Sequence, residues 1–231
     1  MFASDVYIQR RNTLRQRLST GVVLLIGHNE VPINFAHNTY PFRQDATFSY
    51  FFGLNQPGLI GLIELDKDLD TIFVDESTDP DALIWHAQGA SPAQMAAASG
   101  CETVKRRKFL QAAINKVLRS GRPLHFLPPY GSDTALTLSQ LIQCPPKDLG
   151  RLASRSLIRE VVAMREVKEP RELTQIESAL RVTDEMHRLA MRITQAGMVE
   201  REIVAHMRQV LAREGLQEAY SPIFTRHGEV L

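Results

Sequence analysis

Apolar residues along the chain follow two rhythms, and each predicts a different element. Val22-Val23-Leu24-Leu25-Ile26 is an unbroken apolar run closed by Gly27, which predicts a strand buried on both faces. Leu59 to Leu65 and Thr71 to Val74 bracket the polar stretch Asp66-Lys67-Asp68-Leu69-Asp70, the pattern of a hairpin. Phe48-Ser49-Tyr50-Phe51-Phe52 is aromatic and predicts a further strand, and Leu124 to Leu127 another, ahead of Pro128-Pro129. A helical rhythm marks Asp5 to Leu18, where Asp5 can cap and Val6, Ile8, Leu14 and Leu18 supply the apolar face. Pro80 to Ala98 is mixed, with Ala-rich turns, while Lys108 to Leu118 and Thr134 to Ile142 have helical spacing.

After Pro145-Pro146 the pattern changes. From Leu149 to Gly215 apolar residues recur almost only at helical spacing. Leu173, Ile176, Leu180, Met186, Ala190 and Ile193 share one face, and Gly197 breaks that helix. Ile203, Met207, Val210 and Leu211 mark the next, which Gly215 ends. The chain therefore reads as a mixed α/β domain over residues 1–163, followed by a nearly all-helical segment over 164–231.

Composition narrows the function classes. The 231 residues carry 27 Lys+Arg against 26 Asp+Glu, with 14 of each sign before residue 150, so neither half has the positive excess of a nucleic-acid binder. The basic run Lys105-Arg106-Arg107-Lys108 reads as a solvated helix start. No apolar run approaches a membrane span, and the N-terminus shows no apolar signal core. The two cysteines, Cys101 and Cys144, form no CxxC and no disulfide framework. The expectation is a soluble, cytoplasmic protein.

Candidate chemistry is sparse. The histidines at 28, 37, 86, 125, 187, 206 and 227 form no HExxH or other close metal pair. Asp66, Asp68 and Asp70 have the spacing of a calcium loop. Thr71 and Ser77 stand where that loop needs Gly and Glu, so the triplet reads as a hairpin turn. Gly53, Gly58 and Gly61 lack the Lys-Ser/Thr of a phosphate cradle, and no GxSxG elbow is present.

Whole segments carry more. The stretch from Tyr40-Pro41-Phe42-Arg43-Gln44-Asp45 through Tyr50-Phe51-Phe52-Gly53-Leu54 to Pro57 resembles the hallmark of the N-terminal domain of aminopeptidase P, the Xaa-Pro aminopeptidases. Arg10-Arg11 with Leu14, and Ile84-Trp85, fit the same family. Met164-Arg165-Glu166-Val167-Lys168-Glu169-Pro170-Arg171-Glu172 resembles the junction into its catalytic domain. Ala196-Gly197-Met198-Val199-Glu200 is similar to its Pro-Gly-Met-x-Glu turn, with Ala196 in place of Pro.

The resemblance implies a creatinase/aminopeptidase P fold: a mixed-sheet N-terminal domain, then the first helices of an incomplete pita-bread domain. It implies a metallopeptidase that cleaves after an N-terminal residue when proline is second, with two divalent ions, typically manganese, that activate the attacking water. In the family pattern the strand matching Tyr220 to Leu231 is followed by a substrate-binding His, with both ligand Asp, the ligand His and both ligand Glu further downstream. The chain itself is therefore expected to hold no catalytic residue and no metal ligand, and to be inactive alone. Glu200, Glu202 and Glu214 read as solvated helix positions. One site residue is implied: Trp85, matching a Trp that reaches toward the substrate cleft of a neighbouring subunit, which also implies a homo-oligomer. His86-Ala87-Gln88-Gly89 depart from the family context there. Arg43 reads as an anchor for its own loop, through a planar group able to tie several carbonyls. Two alternatives share the architecture: a non-catalytic peptide- or histone-binding relative, and a creatine amidinohydrolase-like hydrolase. The Tyr-Pro-Phe-Arg-Gln run favours the peptidase.

Overall fold

The computed structural model describes residues 1–75 and 89–229. The chain divides into two compact units, Met1–Arg165 and Glu166–Leu231.

The first unit is built on a five-stranded mixed sheet. Its strands are β1 (Val22–Ile26), β4 (Ile60–Glu64), β5 (Leu69–Val74), β6 (Thr103–Arg106) and β7 (Leu124–His125), in the order β6-β5-β4-β1-β7. β1 pairs antiparallel with β4, placing Val22 opposite Glu64 and Ile26 opposite Ile60. On its other edge β1 pairs parallel with β7. β4 and β5 form the expected hairpin, and β5 pairs parallel with β6. Side chains alternate across a strand, so Val23 and Leu25 enter one apolar cluster while Val22 and Leu24 enter a second on the opposite face. Both faces are covered, which is why β1 reads as continuously apolar. A separate small hairpin, β2 (Pro32–Phe35) with β3 (Asn38–Thr39), carries exposed Ile33 and Phe35.

Helix α1 (Ser4–Leu18) starts after Ala3, so Asp5 is not its cap. Asp5 lies in the first turn, where a carboxylate still meets the positive end of the helix dipole. The aromatic run expected as a strand is instead helix α2 (Ala46–Phe52). Its ends decide the matter. Asp45 accepts hydrogen bonds from the N–H groups of Thr47 (2.9 Å) and Phe48 (2.7 Å), and Gly53 closes the helix in a left-handed conformation at φ 65°. Phe48 and Phe52 then stack one turn apart, with ring centroids at 5.0 Å. A Cβ at Gly53 would also lie 2.1 Å from the Tyr7 ring, so only glycine fits.

Helix α3 (Pro92–Ser99) carries a capping box between Ser91 and Gln94, and takes the described part of the mixed Ala-rich stretch. The basic run is not a helix start. Lys105 and Arg106 pair with Phe73 and Val74 as the end of β6, and a tight turn over Arg107–Phe109 leads into α4 (Leu110–Arg119). Helices α5 (Ser132–Ile142), α6 (Leu149–Leu152) and α7 (Arg155–Glu166) follow.

The second unit is a pair of helices, α8 (Pro170–Ile193) and α9 (Glu200–Arg213). Ala190, Ile203 and Met207 form its small core, with Met186, Ile193, Met198 and Phe224 packed around them. Leu173, Ile176 and Leu180, on the N-terminal half of the α8 stripe, are exposed. Glu202 caps α9 by accepting from the Val199 N–H at 3.1 Å, and Glu200 accepts from the Arg226 N–H at 2.8 Å. The strand expected from Tyr220 does not form over the described residues 220–229. A strand needs a neighbour to take its backbone hydrogen bonds, and the described residues of this unit supply none.

Candidate functional site

The Tyr40–Asp45 segment is held by one buried amide. Gln44 Oε1 accepts from the backbone N–H of His28 (2.7 Å) and of Asp45 (2.9 Å), while its Nε2 donates to the carbonyl of Gln56 (2.6 Å). One side chain therefore joins the loop after β1, the entry to α2 and the turn before β4. Gly27 permits the approach, since a Cβ there would lie 2.7 Å from Gln44 Oε1. Arg43 is exposed, and its carbonyl accepts from His28 Nδ1 at 2.9 Å. Gln44 is thus a principal anchor of the loop.

Below this loop two arginines fix the aromatic helix. Arg11 is fully buried and donates to the carbonyls of Phe51 (2.7 Å), Ser99 (3.0 Å) and Gly100 (3.0 Å), tying the C-terminal ends of α2 and α3 together. Its Nε donates to Asp70 at 2.6 Å. Arg10 lies over the Tyr50 ring at 3.8 Å and donates to the Tyr50 carbonyl. The acidic hairpin triplet is matched by cations as well: Arg122 pairs with Asp66, and Arg15 with Asp68 and Asp70. These carboxylates serve ion pairs, in keeping with a structural turn.

Polar groups converge where β1 and β7 end. Tyr130 donates its hydroxyl proton to Asp45 Oδ2 at 2.8 Å, and its oxygen lies 2.9 Å from His28 Nε2. The Tyr130 ring stands edge-on to the His28 ring, with centroids 5.6 Å apart. Local desolvation, then the hydrogen bond to Asp45 and the charge of Asp45, push the Tyr130 hydroxyl up to about 12, against a smaller opposing effect of Arg165. Arg165 donates to Thr47 Oγ1 at 3.0 Å. This cluster borders a cavity of about 280 Å³, whose walls include Leu24, Ile26, Phe126, Leu138 and Val161.

Trp85, the one site residue read from the sequence, lies outside the described residues. Among the described residues, no three His, Cys, Asp or Glu side chains form a group that could hold a metal ion. The described residues thus do not fit a two-ion centre. No helix among the described residues is long and apolar enough to cross a membrane.

Comparison with known proteins places this geometry. The family model described as the aminopeptidase P N-terminal domain matches residues 7–125, just over half of the chain. The chain belongs to the aminopeptidase P N-terminal domain family. The match takes in α1, the Gln44 knot, α2 and the sheet from β1 through β7. Sequences named as Xaa-Pro aminopeptidases are similar over most of the chain. That of Chaetomium globosum is 24% identical, covering 90% of this chain and 34% of the relative. That of Pyrenophora tritici-repentis is 24% identical, covering 79% and 27%. The chain thus spans about a third or less of the length of these relatives. Among solved structures, an aminopeptidase P of Bacillus anthracis superposes with a TM-score of 0.78 at 18% identity, covering 94% of this chain and 53% of that one. The Escherichia coli aminopeptidase P in complex with substrate gives 0.74 at 20% identity, covering 93% and 50%. At such identities the likeness is one of fold, and it extends beyond the aminopeptidase P N-terminal domain into the two helices of the second unit.

Sequence reasoning quoted Gln44 and Asp45 within a motif but gave neither a role, and it missed His28 and Tyr130. A signal existed for Gln44: an amide between Arg43 and Asp45, directly before an aromatic helix, offers both a donor and an acceptor to nearby turns. Nothing in the sequence pairs His28 with Tyr130, which are 102 positions apart.

Proposed function

We propose that this chain is the N-terminal portion of a metal-dependent Xaa-Pro aminopeptidase, and that it provides scaffold rather than hydrolysis. The match of the aminopeptidase P N-terminal domain across residues 7–125 carries this reading. The relatives named Xaa-Pro aminopeptidases, each about three times or more the length matched, support it. In the whole protein two divalent ions, manganese in the first instance, would polarise the scissile carbonyl and supply hydroxide. The substrate is a peptide with proline in second place, and the working form is a homo-oligomer in which Trp85 contacts the substrate of a neighbouring subunit.

The test compares the isolated chain with the whole protein on a peptide whose second residue is proline. The whole protein with Mn²⁺ should release the first residue, and a chelator should stop it. The isolated chain should release none and retain no stoichiometric metal after dialysis. Proline-specific release by residues 1–231 alone would overturn the scaffold role, and a whole protein indifferent to chelators would overturn the metallopeptidase. Trp85→Ala in the whole protein should raise KM more than it lowers kcat, because binding is lost and the attacking water is not touched.

A further inference from the structure

We infer that the cavity at the ends of β1 and β7 is a binding site for a small molecule with an apolar body and a single hydrogen-bond-donating head. The inference is independent of the hydrolytic reading. β1 and β7 are parallel neighbours, so both chains leave the sheet on the same side. The chain after β1 runs to the β2–β3 hairpin, and the chain after β7 runs through Pro128-Pro129 into α5. Where two such connections diverge, a crevice opens outside the carboxyl ends of the strands, the usual ligand position in open α/β sheets. Here the crevice is bounded by Leu24 and Ile26 of β1, Phe126, Leu138 of α5 and Val161 of α7.

Size selects the body. A dry apolar cavity of about 150 Å³ takes a benzene ring, and drug-sized sites begin at about 300 Å³. At about 280 Å³ this cavity suits one substituted ring or a branched aliphatic group.

Hydrogen counting selects the head. Asp45 Oδ1 accepts two backbone N–H groups, and Oδ2 accepts the Tyr130 hydroxyl. Tyr130 Oη also lies against His28 Nε2, and the Arg43 carbonyl against His28 Nδ1, so both ring nitrogens of His28 face groups of the protein. Lone pairs remain on Tyr130 Oη and Asp45 Oδ2, so the rim asks for a donor.

The experiment titrates the 231-residue chain with 4-methylphenol and toluene, followed by backbone amide resonances of Leu24 and Leu138. Saturable binding of 4-methylphenol about tenfold tighter than toluene is expected, the worth of one hydrogen bond. Thr134→Phe, which fills the cavity from its α5 rim, should abolish binding while leaving the far-ultraviolet spectrum unchanged. Should that variant fail to fold, Val162→Trp at an exposed rim position serves the same end. Absence of saturable shifts, equal affinity for phenol and toluene, or binding that survives the filled cavity would each overturn the inference.

Discussion

Arg11 and Asp70, 59 positions apart, meet at 2.6 Å through the guanidinium Nε, with the arginine side chain fully shielded from solvent. The bond pins α1 to the β4–β5 hairpin, while the remaining nitrogens of the same guanidinium hold the ends of α2 and α3. Removing one partner strands a buried charge, at a cost of about 3–5 kcal/mol. Asp70→Ala should therefore lower the unfolding free energy by about 3 kcal/mol, measured by urea denaturation. A loss below about 1 kcal/mol would show that Arg11 is satisfied by its carbonyl partners alone.

Gln44→Glu keeps the size of the buried amide and removes its donor. The Gln56 carbonyl would then face a carboxylate oxygen in place of Nε2. A buried polar group left without its partner costs about 1–3 kcal/mol, more when a charge is involved. We expect a loss of at least about 2 kcal/mol and amide exchange that rises together at His28 and Asp45, the two N–H groups bonded to Oε1. Faster exchange at only one of them would contradict a single knot.

Both outcomes bear on how far the sequence could be read. The sheet was legible because Val22–Ile26 and the Leu59–Val74 hairpin bury both faces and so advertise themselves as apolar runs. The two helices after Pro170 were legible from their stripes. The aromatic run was misread because Phe48, Tyr50, Phe51 and Phe52 satisfy strand propensity equally well. The deciding signals are the Asp45 cap and the Gly53 stop, two single residues at its ends. The His28–Tyr130–Asp45 relay was illegible for another reason: three common residue types reach one another only through the order of strands in the sheet.

Glu64 makes stability depend on acid. Burial raises its affinity for a proton, but hydrogen bonds and charge from Lys67 and Arg122 together outweigh this and hold it below its ordinary 4.5. A carboxylate lowered in the folded state contributes stability above its unfolded value, and that contribution is lost as pH falls through the folded value. Wild type should thus exceed Glu64→Gln in urea midpoint at neutral pH, and the gap should close in acid below 4.5. A gap that is constant across this range would assign the loss to packing.

The two thiols should behave differently toward alkylation. Cys101 is buried to 1% exposure, and burial pushes its thiol up to about 12. Cys144 is only partly buried. In the native protein iodoacetamide at mildly alkaline pH should modify Cys144 and leave Cys101 intact. Denaturant should expose Cys101, with mass spectrometry of the digest locating the label. Equal modification of both in native buffer would mean that the α3–β6 connection opens readily.

Tyr130 gives the complementary dependence in base. Local desolvation raises its value to about 12, helped by Asp45, which holds the hydroxyl proton and would face a phenolate on ionisation. A group raised in the folded state contributes stability that is complete below its unfolded value of about 10 and is lost as pH climbs through the folded value. The phenolate absorbance of wild type minus that of Tyr130→Phe should show a single step near 12. Asp45→Asn should move that step down toward the ordinary tyrosine range, because the neutral amide no longer repels the phenolate and offers it a donor. An unshifted step in Asp45→Asn would place the cause in desolvation of the Tyr130 hydroxyl and remove Asp45 from the relay.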